Sequence, residues 1–433
     1  MDLVLTNWAG NHHYRASRVE RPRSLEQLQE VVSGADRVRA LGSRHSFTDI
    51  GDTDGVLVSL EDVPVEAELD TGARSVTVGG GARYGDVATW LQARGWALRN
   101  LASLPHISVA GAVATSTHGS GDANPALAQS VRAMDVVGPG GHLRHVQRGD
   151  SDFDGSVVAL GALGVVARLT LDVEPTFDIR QDVYLGLSWD VALEHLEEIM
   201  ASAYSVSLVT DLRGAAVQQV WLKSRDTTPP PNLFGATPAR RPTPMLAGAP
   251  TDALTEQLGI PGPWLDRLPH FRLDFTPSRG AELQSEYLVP RAAAATALAR
   301  VRPLGERLAP VLQTVEIRSV ARDSLWLSGS YDTDTMGIHL TWERRPDEVY
   351  AVLPALEDIL LPLGARPHWG KCFAATSADL APLYPRLPDF QSLRARHDPA
   401  DVFGNAFLDR VLGPVPRGRI GLARHQPPII VAE

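Results

Sequence analysis

The segment SLPHISVAGAVATSTHGSG, residues 103–121, has very little side-chain bulk. Gly111, Ala112, Thr115 and Gly119 follow one another with few large residues between them. A backbone of this kind allows another group to approach closely, because glycine carries no Cβ atom. Two interpretations follow from these residues. Either a large flat ligand lies against the chain, or the segment is a buried loop that crosses other backbone tightly.

A second candidate ligand site precedes this segment, in the stretch VRALGSRHSFTD, residues 38–49. A short apolar strand ends at Leu41 and runs into a Gly-Ser-Arg turn, and His45 follows directly. Successive backbone N–H groups in such a turn can converge on an anion. The turn therefore predicts an anion site, and a loop histidine without a role is the alternative.

Composition excludes several classes of function. The chain has 433 residues, a formal net charge of −10 and 44% hydrophobic residues. This charge argues against nucleic-acid or anionic-membrane partners. Cys372 is the only cysteine, so no intrachain disulfide can form. The first residues show no basic region followed by an apolar core, and the longest apolar run, 156–173, contains Arg168. We expect a cytoplasmic protein.

Hydrophobic patterns predict an α+β protein. Ser24 with Gln27 three positions later is typical of a helix start. The stretch VGGGARYG, residues 78–85, lies between a predicted strand and a predicted helix, but its spacing departs from the dinucleotide fingerprint. A tight strand-to-helix turn is therefore favoured there. The patterns predict helices at 24–32, 84–95, 189–202, 290–308 and 346–364, and strands at 55–60, 65–70, 75–81, 131–141, 165–175, 271–276, 285–290, 313–320 and 336–342.

The chain divides into two predicted domains and a tail. Residues 1–177 form the first domain and 178–370 the second, whereas 371–433 are too few to fold alone. The Pro-rich stretch 225–250 is interpreted as a lid, a wrapped surface loop or a disordered linker.

Two pairs of polar residues lie two positions apart in predicted strands, Glu316 with Arg318 and His339 with Thr341. Residues at this spacing point to one face of a sheet. Lys371, in the stretch HWGK, is one of only two lysines. These residues predict a polar site, although a water-exposed sheet face explains the spacing alone equally well.

Taken together, the stretches GSRHSF, SLPHISVAGAVATSTHGSG and EIR…HLTW…HWGK resemble the vanillyl-alcohol-oxidase type of FAD enzyme, also called the PCMH type. Within it they are most similar to the alditol oxidases, with sugar-lactone oxidases as cousins. The resemblance extends from NWAGN at 7–11 to DPADVFGNAFL at 398–408. It implies an FAD-binding domain, a substrate cap domain with a large antiparallel sheet, and a C-terminal segment that returns to the FAD domain.

The resemblance also implies an activity and its residues. The activity is oxidation of the terminal primary alcohol of alditols such as xylitol and sorbitol by O2, giving an aldose and H2O2, in a monomer without a metal. His45 matches the histidine that is covalently bonded to FAD. The implied substrate residues are Ser103, Glu316, Arg318, His339, Thr341 and Lys371, of which Ser103, Glu316, Arg318 and Lys371 act in catalysis. The implied FAD contacts are Leu41, Gly42, Ser43, Arg44, His45, Ser46, Ser103, Ser108, Gly111, Ala112, Thr115, His118, Gly119, Val165, Val166 and His368.

Two alternatives remain beside this activity. One is a sugar-1,4-lactone oxidase or dehydrogenase of the same superfamily, and the other is a flavin-binding protein without catalysis.

Overall fold

The computed structural model describes residues 5–63, 67–225, 233–246, 248–275 and 281–414. Up to residue 172 the strands are β1 (Arg18–Glu20), β2 (Val38–Leu41), β3 (Val56–Ser59), β4 (Glu68–Asp70), β5 (Ser75–Gly79), β6 (Trp96–Ala97), β7 (Gly121–Pro125), β8 (Val131–Val137), β9 (Leu143–Gln147) and β10 (Val165–Asp172). The helices of the same region are α1 (Leu25–Ser33), α2 (Tyr84–Gln92), α3 (Val109–Ala114) and α4 (Phe153–Val157).

Eight of these strands form two sheets. β1, β3 and β2 make a small parallel sheet, and β4, β5, β10, β8 and β9 lie side by side in an antiparallel one. The glycine run after β5 allows close backbone packing, because a Cβ at Gly80 would meet Val166 O at 2.0 Å and one at Gly81 would meet Leu60 O at 2.2 Å. The predicted strand-to-helix turn is therefore present, and its glycines are needed by neighbouring backbone.

The rest of the described chain supplies the remaining elements. The strands are β11 (Glu174–Pro175), β12 (Asp178–Ser188), β13 (Ser205–Thr210), β14 (Ala216–Ser224), β15 (Thr237–Pro238), β16 (Gly262–Pro263), β17 (Glu282–Pro290), β18 (Leu312–Ala321), β19 (Thr335–Glu343) and β20 (Arg366–Pro367). The helices are α5 (Trp189–Glu194), α6 (Leu196–Met200), α7 (Ala294–Val301), α8 (Gly305–Leu308), α9 (Pro346–Leu360), α10 (Ser377–Leu380), α11 (Leu387–His397) and α12 (Ala406–Leu412). None of the described helices is long and apolar enough to cross a bilayer.

A large antiparallel sheet dominates this second region, as predicted. Its strands follow the order β15-β12-β14-β13-β18-β19-β17-β20, and β7 joins it by pairing in parallel with β18. Apolar side chains such as Ile317, Ile338 and Tyr287 are fully buried along the three central strands. The pairing of β7 with β18 brings the segment that follows α3 directly against this sheet.

The C-terminal segment packs on the N-terminal region. Asn405 Nδ2 donates hydrogen bonds to Ile50 O at 3.1 Å and Asp52 O at 2.9 Å. Val38 N, at the start of β2, donates to Val402 O at 2.9 Å. Residues 415–433 of the predicted tail lie outside the described residues.

The Pro-rich stretch 225–250 is described except for residues 226–232 and 247. Its strand β15 pairs with β12, and Ala239 N donates to Val183 O at 2.8 Å. The described part therefore favours the wrapped surface loop among the three interpretations.

Three predictions of local structure are wrong. The predicted strand 271–276 is absent over its described residues 271–275, where Phe271 forms only an isolated β-bridge with Leu254 and its N–H donates to Ser103 O. The predicted helix 189–202 is interrupted at His195, between α5 and α6. The predicted helix 290–308 breaks near Pro303, which has no backbone N–H to donate within the helix.

Candidate active site

Three ionisable residues lie in a row across the large sheet. Glu316 on β18 is paired in register with His339 on β19, and His339 is paired in turn with Glu286 on β17. Directly paired residues of neighbouring antiparallel strands point to the same face. The predicted common face therefore exists, and it is buried, because Glu316, Arg318 and Glu286 are each at most 4% exposed. The water-exposed sheet face is excluded.

Two cations lie on this face. Arg318 Nη2 lies 2.9 Å from Glu286 Oε1, and Lys371 Nζ lies 2.6 Å from Glu286 Oε2. His339 Nδ1 lies 3.2 Å from Arg318 Nη2 and 3.3 Å from Lys371 Nζ. Because both cations can only donate, His339 Nδ1 must accept and its hydrogen must be on Nε2.

Ser103 contacts this cluster directly, whereas Thr341 lies at its edge. Ser103 Oγ accepts a hydrogen bond from Arg318 Nη1 at 3.1 Å, so the small-residue segment reaches the sheet at this point. Thr341 lies two residues beyond His339 on β19, opposite Thr314 and Gln284, and is half-buried. The structure therefore brings Ser103, Glu316, Arg318, His339 and Lys371 together, with Thr341 at the edge of the group.

Sequence reasoning missed Glu286. It lies in the predicted strand SEYLVP, and its carboxylate contacts both cations while being 1% exposed. The available signal was one charged residue in an otherwise apolar strand, since such a residue is rarely buried unless it is paired.

Charges of opposite sign determine the protonation states. Burial raises the pKa of Glu286, but Lys371 and Arg318 together hold it well below its ordinary value. Burial likewise raises the pKa of Glu316, and Arg318 and His270 bring it well below the ordinary value. Burial lowers the pKa of Lys371, with Glu286 acting in the opposite direction. The site therefore holds two carboxylates beside Arg318, which stays charged, and Lys371, whose protonation can change.

His45 lies in the turn that follows β2. Its Nδ1 is 3.0 Å from Ser43 Oγ, and its ring stacks on Trp8 with the centroids 5.5 Å apart. Burial lowers the pKa of His45 to about 4, and His106, Arg83 and Arg44 add to this effect. The imidazole is therefore neutral at pH 7 and carries a free electron pair, as a nucleophile requires.

The turn itself is fixed by the small-residue segment. Ser43 Oγ accepts a hydrogen bond from Ser108 N at 2.9 Å, and Ser43 N donates to Ser108 Oγ at 3.4 Å. Arg44 adopts a left-handed backbone conformation with φ of 63°, which is uncommon for a residue other than glycine. The predicted contact residues Leu41, Gly42, Ser43, Arg44, His45, Ser46 and Ser108 are therefore grouped together.

Close packing explains the glycines of both segments. A Cβ at Gly42 would lie 2.6 Å from Ser108 Oγ, and one at Gly111 would lie 2.7 Å from the same atom. A Cβ at Gly119 would lie 2.4 Å from Leu101 O. Part of the small-residue pattern thus serves tight crossing of the chain, and the two interpretations of residues 103–121 are compatible.

The other predicted contact residues lie around this group. Ala112, Thr115 and His118 are buried on or after α3, and His118 Nε2 is 3.3 Å from Glu286 Oε1. His368 is buried, and its Nδ1 accepts from Gly370 N at 3.1 Å. The turn, the small-residue segment and the sheet cluster are therefore continuous in space.

Val165 and Val166 lie at the start of β10 and differ in their surroundings. Val166 lines a cavity together with Ala110, Ala114 and Gly161. Val165 is fully buried in an apolar cluster with Val137 and Phe403. The cavity extends along the small-residue segment, whereas the side chain of Val165 belongs to the core.

The residues present fit a large planar cofactor bearing a diphosphate. The His45 turn and the segment after Ser103 leave little side-chain bulk, and the turn itself carries the neutral imidazole of His45. His339 Nε2 is a buried donor that meets no hydrogen-bond partner among the described residues. A buried polar atom of this kind requires a partner, which a ligand would supply.

Comparison with known proteins identifies the cofactor and the class. A model of the FAD binding domain matches residues 16–147. Cholesterol oxidase from B. sterolicum has the same fold, with a TM-score of 0.76 at 17% identity, over 94% of this chain and 96% of that one. The fold and the matched domain thus define an FAD-binding protein.

Curated relatives narrow the class further. An alditol oxidase from Streptomyces sp. is 46% identical over 95% of this chain and 100% of its own length. An L-gulono-1,4-lactone dehydrogenase from Mycobacterium tuberculosis is 31% identical over 96% of this chain and 100% of its own length. A model of D-arabinono-1,4-lactone oxidase matches residues 278–411. The chain belongs to the alditol oxidase family of FAD-dependent oxidases.

Proposed function

We propose that this protein oxidises the terminal primary alcohol of alditols such as xylitol and sorbitol to the aldose. The single observation that carries the proposal is the buried cluster of Glu316, Arg318 and Lys371 beside Ser103. It combines hydrogen-bond acceptors with cations, as binding of a polyhydroxylated chain requires. The 46% identity to an alditol oxidase also supports the proposal.

The chemistry follows from these residue types. The alcohol loses a proton from oxygen and a hydride from carbon, and bound FAD supplies the hydride acceptor. Lys371 and Arg318 stabilise the negative charge that develops on the alcohol oxygen. Glu316 accepts hydrogen bonds from the substrate hydroxyls, and Ser103 orients the reacting hydroxyl. O2 then takes up two electrons and two protons, giving H2O2.

Covalent attachment of FAD through His45 is part of the proposal. The neutral imidazole, held by Ser43 and stacked on Trp8, supports it. Acid precipitation of the purified holoenzyme should therefore give yellow protein, and His45→Ala should give colourless protein with FAD in the supernatant. A colourless precipitate from the unaltered chain would refute the covalent bond. A cytoplasmic location and a monomeric state stay predictions.

A sugar-lactone oxidase or dehydrogenase is the second candidate, because a lactone oxidase model matches residues 278–411. Anaerobic mixing of holoenzyme with xylitol, sorbitol, L-gulono-1,4-lactone and D-arabinono-1,4-lactone, followed by flavin absorbance, separates the two. We expect the polyols to reduce the flavin faster, and Glu316→Gln to slow this reduction while retaining flavin. Reduction by a lactone at ten times the polyol rate would overturn the proposal. Admission of O2 with peroxide detection then tests the oxidase step.

A further inference from the structure

A buried chain of hydrogen bonds leads away from the substrate face, toward the part of the sheet formed by β14. Lys223 Nζ on β14 lies 3.1 Å from His270 Nδ1, and His270 Nε2 lies 2.7 Å from Glu316 Oε1. The three residues are 2%, 4% and 4% exposed. The sequence did not predict Lys223 or His270 as residues of the site.

The contacts of Lys223 determine where the protons lie. Its Nζ donates to Leu268 O at 2.5 Å and to Pro269 O at 3.0 Å, and His270 Nδ1 is the third acceptor. An ammonium group has three hydrogens, so the three acceptors use all of them. His270 Nδ1 therefore accepts, its hydrogen is on Nε2, and that N–H points to Glu316.

His270 also holds the other side of the substrate face. Its backbone N donates to Ser103 O at 3.0 Å, and Phe271 N lies 3.3 Å from the same oxygen. The His270 ring meets Trp221 edge to face at a centroid distance of 5.1 Å, which restricts its rotation. One residue thus fixes the backbone of Ser103 and the side chain of Glu316.

The two carboxylate oxygens of Glu316 consequently differ in their hydrogen bonding. Oε1 is bonded to His270, whereas Oε2 lies 3.8 Å from Arg318 Nε and 3.9 Å from His339 Nδ1. These two distances exceed that of a hydrogen bond. Oε2 therefore keeps its capacity to accept a hydrogen bond from a substrate hydroxyl.

We infer that Lys223 and His270 are positioning residues, which hold Glu316 ionised and oriented so that Oε2 accepts a hydrogen bond from a polyol hydroxyl. The inference rests on the proposed function, because it assigns the partner of Oε2. It explains why the site would select substrates whose hydroxyl groups donate hydrogen bonds, since an ionised carboxylate can only accept them. Burial lowers the pKa of Lys223 to about 7, and Glu316 opposes this shift while Arg318 adds to it. The protonation of Lys223, and with it the hydrogen bond to His270, is therefore sensitive to pH near neutrality.

A matched pair of amide variants tests the inference. In His270→Gln the side-chain N–H reaches the position of Nε2 and can donate to Glu316, whereas the shorter side chain of His270→Asn cannot. The readouts are the limiting rate and the apparent Kd of anaerobic flavin reduction by xylitol, measured as a function of pH. We expect His270→Gln to remain within about fivefold of the unaltered chain, and His270→Asn to raise the apparent Kd at least about tenfold.

The pH profile distinguishes positioning from a general loss of structure. Glu316 faces His270, Arg318 and His339, and the loss of the His270 hydrogen bond raises its pKa. Because the carboxylate form binds the hydroxyl, the low-pH limb of xylitol affinity should move to higher pH in His270→Asn. Flavin content and the midpoint of thermal unfolding of each variant show that the holoenzyme is assembled.

Each outcome decides between the two proposals. If no polyol reduces the flavin of the unaltered chain, the proposed function fails. If xylitol reduces it and His270→Asn matches His270→Gln in affinity and pH profile, the positioning role is overturned. Should His270→Asn fail to fold, Lys223→Met decides. This variant frees His270 Nδ1 to carry a proton. A pH profile of xylitol affinity equal to that of the unaltered chain would refute the role of the hydrogen bonds from Lys223 through His270 to Glu316.

Discussion

Replacement of Glu286 by glutamine tests how the site keeps Lys371 charged. The carboxylate has one oxygen 2.6 Å from Lys371 Nζ and the other 2.9 Å from Arg318 Nη2, and it is 1% exposed. Breaking a buried ion pair of this kind costs about 3–5 kcal/mol, because the remaining charge stays buried without compensation. We expect Glu286→Gln to lower the free energy of unfolding by about that amount.

The same substitution should change the pH dependence of catalysis. Burial already lowers the pKa of Lys371, and Glu286 opposes that shift. Without Glu286 the pKa falls further, so the ammonium form is lost at a lower pH. Where the ammonium form is lost, the developing alkoxide loses a cation, which costs about 3 kcal/mol or roughly a hundredfold in rate. The rate should recover as the pH is lowered.

Anaerobic flavin reduction by xylitol across a pH series measures this effect, and thermal unfolding measures stability in parallel. Glu286→Asp is the matched control, because it keeps the charge and shortens the side chain. A Glu286→Gln profile that coincides with that of the unaltered chain would show that Lys371 does not depend on Glu286.

Two further predictions concern single residues. Lys371→Arg should lose flavin reduction nearly as severely as Lys371→Ala, because a planar guanidinium cannot replace a compact ammonium that lies 2.6 Å from Glu286 Oε2; near-normal rates in Lys371→Ala would remove this residue from the catalytic set. Arg39→Met should lower the free energy of unfolding by about 3 kcal/mol, because four carbonyl groups lose a charged donor, among them the buried Leu160 O at 2.7 Å and Phe403 O at 2.9 Å; an unchanged denaturant midpoint would contradict this.

Residues close in sequence were the most predictable part of the site. The spacing of Glu316 and Arg318 correctly predicted one face of a strand, and the turn before His45 was correctly assigned to the end of β2. Both conclusions need only the local geometry of a strand and a turn. The roles of these residues as contacts to substrate and FAD stay predictions.

Long-range contacts explain what the sequence did not reveal. Glu286 and Lys223 lie in largely buried strands, and their partners come from other strands and loops that no local pattern connects to them. The strand predicted at 271–276 is absent for the same reason, because Phe271 N donates to the distant Ser103 O and Arg272 N to Ala253 O. Hydrophobic patterning identifies buried strands, but it does not say which buried polar residues meet.

The contacts of the His45 turn have a consequence for the order of biosynthesis. Phe47 N donates to Gly370 O at 2.7 Å, and Thr48 Oγ1 donates to Trp369 O, 321 residues further along the chain. A ribosome makes the turn first and its partner peptide more than 300 residues later. The turn that we propose for FAD therefore acquires these contacts only after residue 370 has been synthesised. Nascent chains that stall before residue 369 would lack these backbone partners, so we expect flavin loading to follow synthesis of this segment.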